Sequence, residues 1–312
     1  MKEHKGANAF SSSHHTVVTI GTFDGVHVGH QKIIERLVNA SKAGNLESAI
    51  LTFFPHPRMV LQKDADIKLI NTIEERKEIL EKSGIDHLII HPFTQQFSRL
   101  SAREFVRDIL VTKLKAKKVI IGYDHRFGRN RTADINDLRE FGREYDFEVE
   151  EISKQDVEDV AVSSTKIRNA LLEGRVEKAN RYLSYPFSLS GTVVKGKGLG
   201  KEFEFPTANL EVSESYKLIP KNGVYVVRSL IDGEVVFGMM SIGTNPTVGG
   251  TTKTIETHFF ELEKDLYGKS LSIELLTRIR DEKKFENIEV LKTAMKQDQA
   301  FSMQFIRDNY GG

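Results

Sequence analysis

Residues 16–37, TVVTIGTFDGVHVGHQKIIERL, decide how the first half of this 312-residue chain is read. TVVTI is a short β-branched run of the kind that fills a buried strand, and apolar residues return at helical spacing from about Val28 onward. Between them Gly21 and Gly25 permit a tight turn with close backbone approach. A strand that turns straight into a helix is the opening unit of a parallel, doubly wound sheet. Its helix start points free amides and the positive end of the helix dipole at whatever sits above the strand, which makes it a phosphate site. Working outward, the runs ESAILTFF (47–54), DHLIIHPF (86–93), KKVIIG (117–122) and FEVEEI (147–152) read as further strands separated by amphipathic, helix-length stretches. Thr72 with Glu75 and Ser101 with Glu104 form capping boxes that start two of these helices, and Gly84 marks a stop.

Beyond Leu183 the texture changes. SYPFSLSG is a polar, proline-containing joint, followed by short strand-like runs LSGTVV, GVYVVRSL, EVVFGMMSIG, TIETHFFEL and LSIELLTRI, with Asp232-Gly233 placed as a hairpin turn. This half reads as a small antiparallel barrel or sandwich, and the closing stretch NIEVLKTAMKQDQAFSMQFI returns to helical periodicity. Two domains are expected, 1–185 and 186–312, in keeping with about 150 residues per domain. Lys plus Arg number 45 against 44 Asp plus Glu, a net charge of +1, so no nucleic-acid partner is expected. No run nears the roughly 20 apolar residues of a membrane span, and residues 1–16 lack the apolar core of a secretory signal. A cytoplasmic protein with no membrane partner is therefore expected, and homo-oligomerisation is left open. With no cysteine, any chemistry falls to histidines, carboxylates, hydroxyls and backbone amides.

His27 and His30 stand three apart around the start of the first helix, placed to face one anion together. A zinc reading of the pair lacks a third ligand at a suitable spacing, and a helix N-terminus opposes a cation. The bland alternative is that both merely cap the helix. The second piece is SSTKIR (163–168), at the start of the last helix of this half. Ser164 and Thr165 can donate from their hydroxyls, and Arg168 can grip phosphate with two prongs; alone, the stretch is an ordinary helix cap. GTFDGVHVGH with SSTKIR resembles the nucleotidyltransferase superfamily and its HxGH motif. TFFPHPR (52–58) and GYDHRFG (122–128), both at strand carboxyl ends, narrow the resemblance to the flavin adenylyltransferase module of bacterial riboflavin kinase/FAD synthetase.

In the second half, Gly191, Gly196, Gly198 and Gly200 interleave with Lys195, Lys197 and Lys201 in a loop suited to covering phosphates, though it lacks the spacing of a Walker loop. Thr207 and Asn209, two apart on the extended PTAN segment, put their oxygens on one side, as a magnesium ion beside nucleotide phosphates requires. PKNGVYVV (220–227), SIGTNPT (241–247), ETHFF (256–260), LYG (266–268) and RDEKKF (280–285) continue the resemblance, now to the riboflavin kinase module. From residues 254–258 alone, Glu256 reads equally well as a surface charge, since Thr254, Glu256 and His258 share one face.

The resemblance spans residues 17–304 and implies a Rossmann-like N-terminal nucleotidyltransferase sheet with a C-terminal β-barrel and terminal helix. It implies phosphorylation of riboflavin by ATP to FMN, then adenylylation of FMN by a second ATP to FAD, with Mg2+ as cofactor. By that resemblance Glu256 is the kinase base and Thr207 and Asn209 hold the metal. His27, His30 and Arg168 act in adenylyl transfer. Gly21, Phe23, Asp24, Gly25, Ser164, Thr165, Gly196, Gly200 and Lys201 line ATP phosphates, and Pro55, His56, Pro57, Asp124, Arg280 and Glu282 face flavin. The kinase loop departs from the family pattern at Lys201, where arginine is usual, and at Glu204, where glycine is usual. Two rival readings remain: an adenylyltransferase whose barrel only binds flavin, and a flavin-sensing regulator without catalysis.

Overall fold

The computed structural model describes residues 1–62, 66–123, 125–153, 162–196, 205–244 and 253–311, which divide into two compact units, Met1–Ser164 and Thr165–Gly312. The first is built on a six-stranded sheet from β1 (Lys2–His4), β2 (Thr16–Ile20), β3 (Glu47–Phe54), β4 (His87–Pro92), β5 (Ala116–Gly122) and β6 (Glu148–Ile152). Their order is β1-β4-β3-β2-β5-β6 and every pairing is parallel. All five residues of β2 are buried, as expected of a central strand covered on both faces. Alternation along the strands makes two cores. Val17, Ile50, Leu88 and Ile120 face Ile34 and Leu37 of α1 (Val28–Gly44) and Leu80 of α3 (Ile73–Glu81). Val18, Leu51, Ile89 and Val119 face the opposite layer. There α4 (Ala102–Glu104) runs on into a wider, π-helical stretch, Phe105–Lys113, beside Leu138 of α5 (Ile135–Tyr145). The short α2 (Pro57–Leu61) follows β3.

Both capping boxes read from the sequence are formed, at Thr72/Glu75 and at Ser101/Glu104. The winding of the sheet reverses between β2 and β5. The carboxyl ends of the strands at such a switch point are where open α/β sheets receive ligands. The turn after β2 is GTFDGVH.

In the second unit SSTKIR opens α6 (Ser164–Leu172), whose first residue ends the first unit. It is not the last helix before the barrel, because α7 (Val176–Leu183) follows. The barrel is closed and antiparallel, in the order β10-β11-β8-β7-β12-β9. Its strands are β7 (Ser188–Val194), β8 (Ala208–Glu211), β9 (Gly223–Ile231), β10 (Glu234–Gly243), β11 (Thr254–Phe259) and β12 (Ser270–Arg280). Asp232 and Gly233 both take positive φ in the β9–β10 hairpin, as a two-residue turn of this kind requires. The side-chain amide of Asn180 on α7 donates to the Leu275 carbonyl at 2.8 Å and its oxygen accepts from the Phe187 amide at 2.8 Å, fastening α7 to β12. The terminal α8 (Ile288–Tyr310) packs Ile306 on Phe205, Val224 and Met239. It is tied down by Asp298, which accepts from Arg280 Nε at 2.9 Å and Nη2 at 2.7 Å.

Candidate functional site

The turn after β2 is held in an unusual shape. Phe23, Gly25 and Val26 all have positive φ, a conformation that costs a non-glycine residue on the order of 1–3 kcal/mol and persists only where neighbours enforce it. Four neighbours do so. The buried Asp24 carboxylate accepts the Ile70 amide at 2.9 Å and the Asn71 amide at 3.3 Å. Its carbonyl accepts the Ser164 hydroxyl at 2.9 Å, and Gln31 Nε2 donates to the Val26 carbonyl at 2.9 Å. His27 then caps α1: its Nδ1 accepts the backbone N–H of His30 at 3.4 Å. The two imidazoles stack, with centroids 3.7 Å apart and planes 15° from parallel, and Phe23 lies 5.1 Å from the His30 ring. Burial lowers the His27 pKa to about 4. Burial, the neighbouring His27 and the cation of Arg76 keep His30 well below the ordinary range. Both rings are therefore neutral around pH 7, so each offers one N–H rather than a positive charge.

The barrel assembles its own cluster. In the β8–β11 register Glu256 lies directly opposite Asn209, and cross-strand partners share a face. Thr207, two residues earlier, donates its hydroxyl to Glu256 Oε2 at 3.2 Å, while Thr254 donates to Oε1 at 3.1 Å. A Cβ placed on Gly196 would collide with the Asn209 amide, so the start of the glycine-rich loop passes against this cluster and a side chain there would have to displace Asn209. Among the described residues no three histidines, carboxylates or cysteines come together in a way that could hold a metal. A cation here would instead meet hydroxyl and amide oxygens with one carboxylate nearby, a donor set that suits magnesium. Thr207 spends its proton on Glu256 and keeps its lone pairs for such an ion.

Comparison with known proteins agrees with this division. The model of the FAD synthetase family matches residues 9–166 and that of the riboflavin kinase family residues 183–306. A bifunctional riboflavin kinase/FMN adenylyltransferase from Listeria monocytogenes is 37% identical over 293 residues, 93% of this chain and 92% of that one. The Escherichia coli K12 protein of the same name is 34% identical over 290 residues, covering 93% and 92%. The chain belongs to the bifunctional riboflavin kinase/FMN adenylyltransferase family. It carries both activities, riboflavin kinase and FAD synthetase. The crystal structure of a protein called macrolide-efflux protein, from Streptococcus pneumoniae, superposes with TM-score 0.87 at 30% identity over 99% of both chains. In the present chain no described helix is long and apolar enough to cross a membrane.

Other residues singled out in the sequence of this family member fall as follows. Pro57 opens α2, His56 caps it by accepting the Arg58 amide at 3.2 Å, and Pro55 follows a cis peptide bond at the carboxyl end of β3. Arg280 engages Asp298 with two nitrogens and lies over the Phe285 ring. Glu282 is anchored at the end of β10 by the Thr244 amide at 2.6 Å and by Asn222 at 3.0 Å. Thr165 is exposed and Arg168 half-buried on α6. Asp124, Gly200, Lys201 and Glu204 lie outside the described residues. Sequence reasoning passed over Arg76. It is 1% exposed and its Nη2 lies 4.0 Å from Asp24 Oδ1. The signal was present, since Arg76 follows Ile73 by three and precedes Leu80 by four, on the stripe that faces the core.

Proposed function

We propose that the two reactions of this family run at the two clusters described, with the adenylyltransferase domain at 1–185 and the riboflavin kinase domain at 186–312. In the kinase, Glu256 accepts the proton of the terminal ribityl hydroxyl as that oxygen attacks the γ-phosphorus of ATP, giving FMN and ADP. The observation that carries this assignment is the β8–β11 pairing, which sets Glu256 opposite Asn209 and hydrogen-bonded to Thr207. Thr207 and Asn209 would hold Mg2+, which when bound draws charge onto the ATP phosphates. Gly196 brings the loop backbone against the same cluster, and by the family resemblance Gly200 and Lys201 are assigned to the ATP phosphates.

In the adenylyltransferase, a phosphate oxygen of FMN attacks the α-phosphorus of a second ATP and pyrophosphate leaves. The nucleophile is already an anion, so no base is needed. His27 and His30 donate neutral N–H groups to the phosphate chain at the start of α1. Gly21, Phe23, Gly25 and Ser164 shape the phosphate turn, and Thr165 and Arg168 are assigned to the second phosphate motif of the family. The buried Asp24 acts as the brace of that turn. Pro55, His56, Pro57 and Asp124 are assigned to the FMN side, and Arg280 and Glu282 to the rim of the kinase site. The near-zero net charge supports a small-molecule enzyme rather than a nucleic-acid-binding regulator, and the cytoplasm is the compartment we assign to it.

The test is to follow ADP and pyrophosphate separately, with riboflavin or with FMN as acceptor, with and without Mg2+. ADP should be released with riboflavin and pyrophosphate with FMN, both only in the presence of the metal. Pyrophosphate without any ADP would support the rival in which the barrel only binds flavin, and absence of both would support the regulator.

A further inference from the structure

We propose that Thr254 is a positioning residue for riboflavin phosphorylation: its hydroxyl holds Oε1 of Glu256 and so fixes the plane in which that carboxylate meets the ribityl hydroxyl. This role rests on the reading of Glu256 as the kinase base.

β11 alternates half-buried and buried residues, so Thr254, Glu256 and His258 share one face while Ile255, Thr257 and Phe259 take the other. Glu256 leans back along its own strand, and its Oε1 accepts the Thr254 hydroxyl at 3.1 Å. The same hydroxyl lies 3.4 Å from the carbonyl of Gly243, the cross-strand partner of Thr254 on β10. The shorter contact takes the proton, because hydrogen bonds to carboxylates are stronger than those to neutral acceptors. Threonine is branched at Cβ and stiff at χ1, so the strand backbone sets the direction in which this hydroxyl points.

The other oxygen is held from a different segment. Oε2 accepts the Thr207 hydroxyl at 3.2 Å. That arm is itself braced: His258 Nδ1 lies 2.9 Å from the Pro206 carbonyl, and since a carbonyl only accepts, Nδ1 carries the proton and donates. The His258 ring also meets Phe205 edge to face, with centroids 5.1 Å apart. A carboxylate held through one oxygen can swing about that bond, whereas one held through both oxygens from two segments keeps a single plane. Each oxygen has two lone pairs, so the clamp leaves capacity for the ribityl proton. A base acts only within hydrogen-bond reach of the proton it takes, and a small misplacement costs rate rather than binding.

The experiment is steady-state kinetics of the full chain with riboflavin, ATP and Mg2+, joined to crystal structures of the variants. Thr254→Val keeps the branched shape and removes the donor. It should lower kcat for FMN formation about tenfold, the effect of losing one hydrogen bond to a charged group, while KM for riboflavin and for ATP changes much less. Thr254→Ala, with a smaller side chain, should show the same loss, and Thr254→Ser should recover most of it. Added to Glu256→Gln, Thr254→Val should lower kcat no further, because the carboxylate through which it acts is already gone. The structure of Thr254→Val should show the Glu256 carboxylate turned out of its plane with Thr207 in place. An unchanged kcat in Thr254→Val overturns the role, as does a Thr254→Ser as slow as the valine variant. A tenfold loss repeated in the Glu256→Gln background, or a slow variant whose carboxylate has not moved, overturns it equally. If Glu256→Gln itself phosphorylates riboflavin at the normal rate, the base reading fails and takes this role with it. If Glu256→Gln is slow and Thr254→Val is not, the role of Thr254 alone fails.

Discussion

Lowering the pH from about 7 to about 5 should loosen the N-terminal unit through His27, and replacing His27 with asparagine should remove that sensitivity. In the folded chain burial lowers the His27 pKa from 6.5 to about 4. The fold therefore holds the neutral ring, while the unfolded chain takes up a proton readily. Stability from this group is complete above about pH 6.5 and is lost as the pH falls toward about 4, where the loss levels off. At 1.36 kcal/mol per pH unit the whole effect is about 3 kcal/mol, of which about 2 kcal/mol is gone at about pH 5. His30 adds a loss of the same sign, because its pKa is lowered too. Asparagine can still cap α1, so His27→Asn isolates the titration from the cap. Urea unfolding at the two pH values, with peptide-resolved hydrogen exchange to assign the transition to residues 1–164, reads the difference. The wild type should lose about 2 kcal/mol more than the variant on acidification. Equal losses in the two proteins would refute the claim that His27 is held neutral by burial.

Gly196→Ala should abolish most riboflavin phosphorylation while FMN adenylylation continues, because the added methyl collides with the Asn209 amide; product analysis with each flavin checks this. Asp298→Ala should destabilise the barrel unit by on the order of 3 kcal/mol, because it leaves the half-buried Arg280 guanidinium without its anion. A chemical melt of that unit measures the loss.

Much of the fold was legible because strand and helix periods are clean where the core is continuous. The run TVVTI is a fully buried central strand, and the capping boxes at Thr72 and Ser101 mark true helix starts. β1 was not legible: KEH is three polar residues on the sheet edge, where neither alternation nor apolar content leaves a trace. The histidine motif declared itself through spacing, and the cap alternative also holds, since His27 does cap α1. What spacing could not convey is that burial leaves both rings uncharged. The Gly196–Asn209 contact joins residues from two different segments and exists only once the barrel closes. Arg76 was obscured because a charge inside INTIEERKEIL looks like one more solvated helix residue until its place on the apolar stripe is noted.

The central claim, two independent sites on one chain, is tested most directly by one pair of variants assayed with both acceptors. His30→Ala, given riboflavin and ATP, should accumulate FMN with FAD formation lowered by about 10²-fold or more. Glu256→Gln should form FMN from riboflavin roughly 10²- to 10⁴-fold more slowly, yet convert supplied FMN to FAD at the normal rate. Loss of both activities in either folded variant would contradict the account.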